Sequence, residues 1–206
     1  MAGESGGGVD AEKRATLRRF AALGAGGPLA RLVDRDDDSS SDARDAIIGH
    51  LSTTPGAHFS KIRDDLSLGT GETQHHLRKL VESKTVESFR DGEYRRYVLA
   101  RQFTDFEKRS LGYLRRETPR GMLITLLRDP ETSASDLANT IDVSRPTVSK
   151  YAKELEEAEL LSRDSSYVVE RPETVLTLVV RYADSFGPDA VALANEADSL
   201  IRYDPS

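Results

Sequence analysis

The sequence reads AIIGHLSTTPGAHFSKIRDDLSLGTGETQHHLRKLVESKTVES over residues 46–88 and GMLITLLRDPETSASDLANTIDVSRPTVSKYAKELEEAELLSR over residues 121–163. A shift of 75 positions places the first stretch on the second without a gap. Identical residues, such as Leu51 and Leu126, and apolar positions coincide along the whole overlap. Internal similarity of this kind indicates two copies of one supersecondary unit. The sequence therefore predicts two small domains in tandem.

Each copy predicts three helices followed by a two-stranded ribbon. The predicted helices cover residues 42–53, 59–66 and 70–83 in the first copy and 120–129, 134–141 and 145–158 in the second. Ser60 is the expected N-cap of the second helix in the first copy, and Ser133 or Ser135 in the second copy. Two β-rich runs flank Asp91-Gly92, which is a strong hairpin signal. The second copy has a shorter hairpin before residue 171.

This order of elements is that of a winged helix-turn-helix, so the predicted fold class is mostly α with small β-hairpin wings. The predicted parts are a disordered or weakly helical tail and linker (1–41), a first winged domain (42–101), a connecting helix (102–117), a second winged domain (118–171) and C-terminal helices (172–206). The apolar C-terminal helices need a covering surface. Either the second domain or the same helices of another chain can supply it, and we expect a homodimer.

Composition limits the function. The chain has 206 residues and no cysteine, which excludes disulfides and thiolate metal sites. The net charge is −6, and the 22 arginines far outnumber the 7 lysines. An acidic, lysine-poor surface suits a halophilic archaeon, although a GC-rich genome also raises arginine. In such a cell local charge, rather than net charge, decides whether nucleic acid binds.

The N-terminal tail raises the question of a membrane. Residues 18–30 faintly resemble a twin-arginine export signal, but Arg31 and an acidic run from Asp34 follow at once. No stretch has the ~18 consecutive apolar residues that span a bilayer. We therefore predict a cytoplasmic protein with a mobile or weakly helical tail. A membrane-tethered regulator using residues 14–30 is a weaker hypothesis.

The third helix of each copy carries the candidate chemistry. In a helix-turn-helix this helix enters the major groove, where polar side chains reach base edges. The repeat assigns inward positions, and the remaining positions face outward. Together with the wing arginines and their neighbours, the predicted DNA-binding residues are Thr70, Glu72, Gln74, His75, Arg78, Lys79, Arg90, Arg95 and Arg96 in the first copy and Ser144, Arg145, Thr147, Ser149, Lys150 and Lys153 in the second.

Local charge supports this interpretation. From Arg145 to Lys153 there are three positive side chains and no acid, and the acids follow at the end of the helix. Residues 70–101 carry an excess of positive over negative side chains. The first copy has the longer wing, so we expect it to be the stronger reader of DNA. Because the chain is acidic and offers few cations, we also expect its DNA affinity to fall only slowly with salt.

The motif SRPTVSKY at residues 144–151 resembles the recognition-helix signature of MarR- and ArsR-like winged-helix repressors, and TQHHLRKL at residues 73–80 is similar. Over residues 42–170 the chain resembles archaeal, and especially haloarchaeal, transcriptional regulators with two winged domains. The resemblance implies sequence-specific binding of double-stranded DNA, usually as a dimer. In place of the glycine that often ends the third helix, this chain has Lys84 and Glu159. That departure indicates a different helix exit or local strain.

Other motifs predict no enzyme, metal or cofactor. Residues 68–73 contain two glycines but lack the Gly-Lys-Ser/Thr of a phosphate loop. We expect His76 to face the core and His75 to face DNA rather than a metal. Asp64-Asp65 has no nucleophile nearby. The alternative to a DNA-binding regulator is a tandem winged-helix adaptor that binds protein, which a large apolar surface on the wings or third helices would favour.

Overall fold

The computed structural model describes residues 38–164 and 166–200, together with residue 19. The chain divides into two units, the first ending at Gln102 and the second beginning at Phe103. Within the described ranges no helix is both long and apolar enough to cross a membrane. The predicted tail helices, and residues 14–30 apart from residue 19, lie outside the described residues.

The first unit follows the predicted order of three helices and a ribbon, with one short strand before the second helix that was not predicted. It contains helix α1 (Asp38–Thr53), strand β1 (Ala57–His58), helices α2 (Phe59–Asp65) and α3 (Thr70–Glu82), and the ribbon of β2 (Val86–Asp91) and β3 (Tyr94–Leu99). Helix α1 begins at residue 38, so residues 38–41 are helical rather than part of a linker. Acidic and serine residues are favourable at a helix N-terminus, which explains the earlier start.

The ribbon belongs to a three-stranded antiparallel sheet in the order β1-β3-β2, in which β3 is the central strand. Asp91 lies opposite Tyr94, so Gly92 and Glu93 form the two-residue turn. Gly92 has a φ of 58°, which glycine adopts without steric cost. The wing is confirmed, but its turn lies one residue later than the Asp91-Gly92 signal indicated.

The core of the first unit forms where α1, α2, α3 and the ribbon bring their apolar faces together. It includes Ile47, Leu51, Ile62, Leu66, Leu77, Leu80, Val86 and Leu99, all buried. Helix α2 begins one residue before Ser60, because the His58 Nδ1 accepts the Lys61 N–H over 3.2 Å and caps the helix. The predicted Ser60 cap is therefore wrong.

The second unit repeats the same order with additional helices. It contains α4 (Asp105–Leu114), α5 (Glu117–Arg128), α6 (Ala134–Thr140), α7 (Arg145–Glu157), β4 (Leu161–Ser162), β5 (Val168–Val169), α8 (Pro172–Arg181), α9 (Ala183–Phe186) and α10 (Pro188–Leu200). Ser133 caps α6, as predicted. Pro119, which follows the predicted connecting helix (102–117), lies in the first turn of α5, where a missing N–H costs little.

The C-terminal helices pack on their own unit. Helix α8 lies against α4, and α10 lies against α5. Val175, Val179 and Leu193 are fully buried there, whereas Val180 is 38% exposed. Of the two covering surfaces that the sequence allowed for these side chains, the second domain is the one observed.

Unusual backbone angles repeat with the sequence. Six non-glycine residues in the described ranges have positive φ, and they form three equivalent pairs: Ser67 with Asp142, Lys84 with Glu159, and Arg101 with Arg171. The first two pairs are 75 positions apart, and the third is 70 apart because the second wing is shorter. After α3 and α7 the helix exits are thus left-handed in both copies. Lys84 and Glu159 therefore adopt the left-handed backbone angles that glycine often has at this position, and the turn is kept without glycine.

Candidate nucleic-acid interface

Helix α3 presents polar side chains on one face because its other face is buried. Thr73, Leu77 and Leu80 recur at helical spacing and are buried, as the repeat predicted. The polar side chains left exposed on this helix include five of the predicted DNA-binding residues: Thr70, Gln74, His75, Arg78 and Lys79. Their amide, imidazole and guanidinium groups can all donate hydrogen bonds to base edges or phosphates.

Glu72, the sixth predicted residue of this helix, caps its start. The Gly69 N–H donates to Glu72 Oε2 over 3.1 Å, and the carboxylate lies near the positive end of the helix dipole. The side chain is only half-exposed. Glu72 thus helps to fix the start of α3, and the residues next to it on the helix face outward.

An open cleft separates the exposed face of α3 from the wing. Its volume is about 640 Å³. The floor is apolar, formed by Phe59, Leu77, Val81 and Tyr97. Polar groups from both elements surround it, namely Thr70, Gln74, Arg78, Glu82 and Arg95. Helix and wing therefore present hydrogen-bond donors on the same side of the first unit.

The wing carries two exposed arginines in direct opposition. Arg90 pairs with Arg95 across the ribbon, and both side chains are exposed. Arg95 Nε donates to Ser88 Oγ over 3.0 Å. No carboxylate of the described residues forms an ion pair with either arginine. Like charges placed opposite each other repel, so this arrangement favours a bound anion between or beside them.

Arg96 was predicted to contact DNA, but the structure buries its side chain. Its Nε lies 2.6 Å from Asp91 Oδ2, and its Nη1 donates to the Gly56 carbonyl over 3.0 Å. Successive strand residues point to opposite faces, so exposing Arg95 turns Arg96 inward. Arg96 fixes the base of the wing to the rest of the unit and does not present its charge to DNA.

The adjacent histidines differ as expected. His75 is exposed, whereas His76 is 5% exposed and its Nδ1 is buried without a hydrogen-bond partner among the described residues. Burial lowers the pKa of His76, and the nearby His75 lowers it further. The described residues contain no group of three or more potential ligands that could hold a metal ion.

Helix α7 of the second unit is built in the same way. Ser144 caps it by accepting the Thr147 N–H over 3.3 Å, and Val148 and Leu155 are buried. Thr147 is half-buried and its hydroxyl lies 2.8 Å from that of Ser144. The remaining predicted residues on this helix are exposed: Arg145, Ser149, Lys150 and Lys153. Ser144 is also exposed, but its hydroxyl is engaged by the cap.

The lysines of α7 face glutamates one turn away. Lys150 Nζ lies 3.9 Å from Glu154 Oε1, and Lys153 Nζ lies 3.7 Å from Glu157 Oε1. Glu154 Oε2 also lies 3.3 Å from Arg116 Nη1 of the same unit. The acidic end of this helix is thereby partly neutralised within the unit, and its lysines are less available to a phosphate than Arg90 and Arg95.

Sequence reasoning missed one prominent residue of the wing. Tyr94 follows the turn directly and is 51% exposed, the largest value among the exposed large apolar side chains of the described residues. The others are Val168 at 48% and Val180 at 38%. The sequence signal that could have identified Tyr94 is its place directly after the Gly-containing turn. These scattered side chains do not form the large apolar surface that a protein-binding adaptor needs.

Comparison with known families agrees with this architecture. A family model described as an N-terminal HTH domain matches residues 41–111. A model described as winged helix-turn-helix DNA-binding matches residues 115–162. No curated protein and no solved structure matches the chain. The chain is therefore a DNA-binding regulator that carries two helix-turn-helix domains in tandem.

Proposed function

We propose that this protein is a sequence-specific transcriptional regulator that reads double-stranded DNA mainly with α3 and the wing of its first unit. The observation that carries the proposal is that the exposed face of α3 and Arg95 of the wing line one cleft, with Arg90 exposed directly opposite Arg95. Because regulators act where the genome lies, the proposal includes a cytoplasmic location. It also includes an archaeal, halophilic source with MarR- or ArsR-like recognition, based on the sequence resemblance.

The side chains on α3 suit base recognition. Gln74 and Arg78 lie one helical turn apart on the exposed face. Glutamine pairs with adenine and arginine with guanine through two hydrogen bonds each, so this spacing allows two separate bases to be read. Arg78 Nε is 3.9 Å from Glu82 Oε1, an exposed pair that a base edge can replace at little cost.

The wing supplies the phosphate contacts in this proposal. Arg90 and Arg95 face solvent together, and their mutual repulsion falls when a phosphate binds. Phosphate contacts set the register of the protein on the duplex and carry no sequence information. We therefore assign base reading to α3 and positioning to the wing.

A homodimer is a further part of the proposal. The apolar C-terminal side chains that first suggested it are largely buried within the second unit, so other evidence must test it. A two-fold symmetric binding site would supply that evidence, because the symmetry of an operator mirrors the symmetry of its protein. Sedimentation of the full chain gives an independent measurement.

The experiment is selection from a random-sequence duplex pool at high KCl, followed by sequencing of the bound DNA. We expect an enriched motif for the wild-type chain, and loss of preference at one position for Arg78→Ala. Lys84→Ala is the charge-matched control, because Lys84 is exposed at the C-terminal exit of α3. A folded wild-type chain that enriches no motif would refute sequence-specific recognition.

A further inference from the structure

A second cleft lies within the second unit, between α5, the turn that joins α6 to α7, and the start of α10. Its volume is about 540 Å³, which is in the range of small-molecule sites. Ile124, Ile141 and Val143 form an apolar side, and polar groups of α5 and α10 line the rest. The predicted DNA-binding residues of α7 do not line this cleft. The proposed reading of DNA therefore leaves it without a role.

The cleft is lined by a guanidinium group with an unused donor. Arg120 is 8% exposed, and its Nε donates to Asp189 Oδ1 over 3.0 Å and to Oδ2 over 2.8 Å. Its Nη1 donates to the Leu114 carbonyl over 3.4 Å. Its Nη2 has no acceptor among the described residues. An N–H group without an acceptor at a mostly buried site favours an oxygen atom of a ligand.

The guanidinium of Arg120 is held in a fixed position. Asp189 binds its Nε, and a Cβ at Gly187 would lie 3.2 Å from its Nη2. Gly187 has a φ of 142°, a conformation that glycine adopts without steric cost. Glycine therefore leaves the space that the guanidinium occupies beside α10. A donor that is already positioned lowers the entropy lost when a ligand binds.

Two carboxylates of the cleft lack a positive partner. Glu117 and Asp142 are exposed, and neither forms an ion pair with a described residue. The other arginine of the cleft is already paired, because Arg128 Nε lies 2.9 Å from Glu196 Oε2. Glu117 lies three residues before Arg120 on α5, the spacing that makes side chains neighbours on a helix. The cleft thus combines uncompensated negative charge with a free hydrogen-bond donor.

These features distinguish between classes of ligand. A simple anion would meet Arg120 Nη2 but would be repelled by the unpaired carboxylates, and a simple cation would leave that donor unused. A zwitterion satisfies both groups. An α-amino acid carries its carboxylate and its ammonium on one carbon atom, which suits two side chains that are neighbours on a helix. The apolar side of the cleft accommodates an aliphatic side chain, which gains by leaving water.

We propose that this cleft binds an aliphatic α-amino acid. The ligand carboxylate accepts from Arg120 Nη2, the ligand ammonium donates to the Glu117 carboxylate, and the ligand side chain packs on the apolar side. Ile141 and Val143 belong to the turn that precedes α7, so the ligand contacts the helix-turn-helix directly. The inference concerns ligand binding alone and does not depend on the proposed reading of DNA.

The test is calorimetric titration of the full wild-type chain with L-leucine and three analogues that each lack one feature. Isoamylamine lacks the carboxylate, isocaproate lacks the ammonium, and glycine lacks the side chain. We expect L-leucine to bind and each analogue to bind at least about tenfold more weakly, since one charge-assisted contact or the apolar contact is lost. Isoamylamine or isocaproate that binds as tightly as L-leucine would overturn the zwitterion. A chain with no affinity for L-leucine, L-isoleucine or L-valine would overturn the site.

Variants locate the ligand in the cleft. Glu117→Gln keeps the shape of the side chain and removes its charge, so it should weaken L-leucine binding about tenfold. Glu131→Gln removes an exposed charge of the same unit outside this cleft and should leave the affinity unchanged. Equal affinities for these two variants would overturn the assigned ammonium contact. Asp142→Asn, which suits the left-handed backbone at that position, should weaken binding less than Glu117→Gln does.

The carboxylate contact is tested by Arg120→Lys. Lysine keeps a positive charge beside Asp189 but lacks the forked donors of arginine, so L-leucine should bind about tenfold more weakly. Thermal melting without ligand checks that each variant is folded. If Arg120→Lys melts early, the wild-type comparison of L-leucine with isoamylamine decides whether the ligand carboxylate is bound. Wild-type affinity in a folded Arg120→Lys chain would overturn the role of Arg120.

Discussion

The two units share one plan but differ in how their charges are used. In the first unit the wing strands have six residues each, and Arg90 and Arg95 face solvent without a carboxylate partner among the described residues. In the second unit the strands have two residues each, and arginines of the unit meet the glutamates of α7. The same sequence pattern thus supports an outward-facing cationic surface in one copy and an internally paired surface in the other. We infer that a repeated fold does not imply repeated affinity for DNA.

The largest expected effect concerns the ion pairs that distinguish the two wings. Asp91→Ala leaves the buried Arg96 without its carboxylate, so the first unit should lose about 3 kcal/mol of unfolding free energy. Glu156→Ala removes the partially exposed partner of Arg163 in the second unit and should cost less than about 1 kcal/mol. Urea unfolding of the full chain, with hydrogen exchange over residues 86–99 for the first unit and 145–169 for the second, measures both.

A double variant separates lost charge from lost packing at the first wing. Replacing Asp91 and Arg96 together by leucine removes both buried charges, and should recover much of the stability that Asp91→Ala loses. Equal losses for Asp91→Ala and Glu156→Ala would show that burial does not distinguish the two wings.

The next effect is on DNA affinity. Gln74→Ala combined with Arg78→Ala removes two base-reading side chains, so binding to the selected motif should weaken by about 2 kcal/mol. Lys150→Ala combined with Lys153→Ala should cost less than about 1 kcal/mol, because lysine meets a phosphate as a point charge and does not form the two hydrogen bonds that pair arginine or glutamine with a base. Fluorescence anisotropy at one fixed KCl concentration compares the two variants. Similar losses would mean that both units read DNA to the same extent.

Features set by residues close together in the sequence could be predicted, and features set by distant residues could not. The repeat predicted the buried positions Leu77 and Val148, because burial in a helix follows local periodicity. Strand alternation places Arg95 and Arg96 on opposite faces but does not say which face is buried, and that depends partly on Gly56, which is 40 positions away from Arg96 in the chain. Glu72 was missed as a cap because the residue before the helix is Gly69 rather than serine or threonine.

The C-terminal helices show the same limit. Their apolar faces were recognised from the sequence, but periodicity alone cannot say which surface covers them. The structure places α8 against α4 and α10 against α5, both in the second unit. The left-handed helix exits at Lys84 and Glu159 were likewise signalled only by an absent glycine, whose effect depends on the hydrogen bonds around it.

All four histidines lie before residue 77, in the first unit. Mild acidification should therefore change the stability of the first unit more than that of the second. Burial lowers the pKa of His76 in the folded chain below its ordinary value near 6.5. As pH falls through that ordinary value, the unfolded chain takes up the proton first, so the stability contributed by neutral His76 is lost on acidification. His76→Leu cannot take up a proton and should flatten the decline of stability in the first unit.

The lowered pKa of Asp65 also makes the folded chain lose stability on acidification, but at lower pH than His76. Burial raises it, but hydrogen bonds from His50 and Lys61 outweigh burial and leave it lowered. Comparing wild type with His76→Leu between neutral and mildly acidic pH isolates the histidine, since Asp65 is common to both. Hydrogen exchange read separately for each unit makes the measurement. If His76→Leu declines as steeply as the wild type, His76 does not control this dependence.

The smallest effect tests the equivalent helix exits. Lys84 and Glu159 have φ values of 56° and 59°, conformations that glycine adopts more easily than a residue with a Cβ. Lys84→Gly should therefore raise the unfolding free energy by about 0.5–1 kcal/mol, while the hydrogen bond from Thr85 N–H to Leu80 O is retained. Lys84→Ala keeps the backbone strain and should change little.

The same substitution in the second unit should gain less. Glu159 Oε2 accepts a hydrogen bond from Arg109 Nη2 over 2.6 Å, so Glu159→Gly relieves strain but loses an ion pair. An exposed pair is worth up to about 1 kcal/mol, so the two changes nearly cancel. Urea unfolding should therefore show a gain for Lys84→Gly and almost none for Glu159→Gly. Equal gains would mean that the internal pairing of the second unit contributes nothing at this exit, and the contrast between the units would then rest on their wings alone.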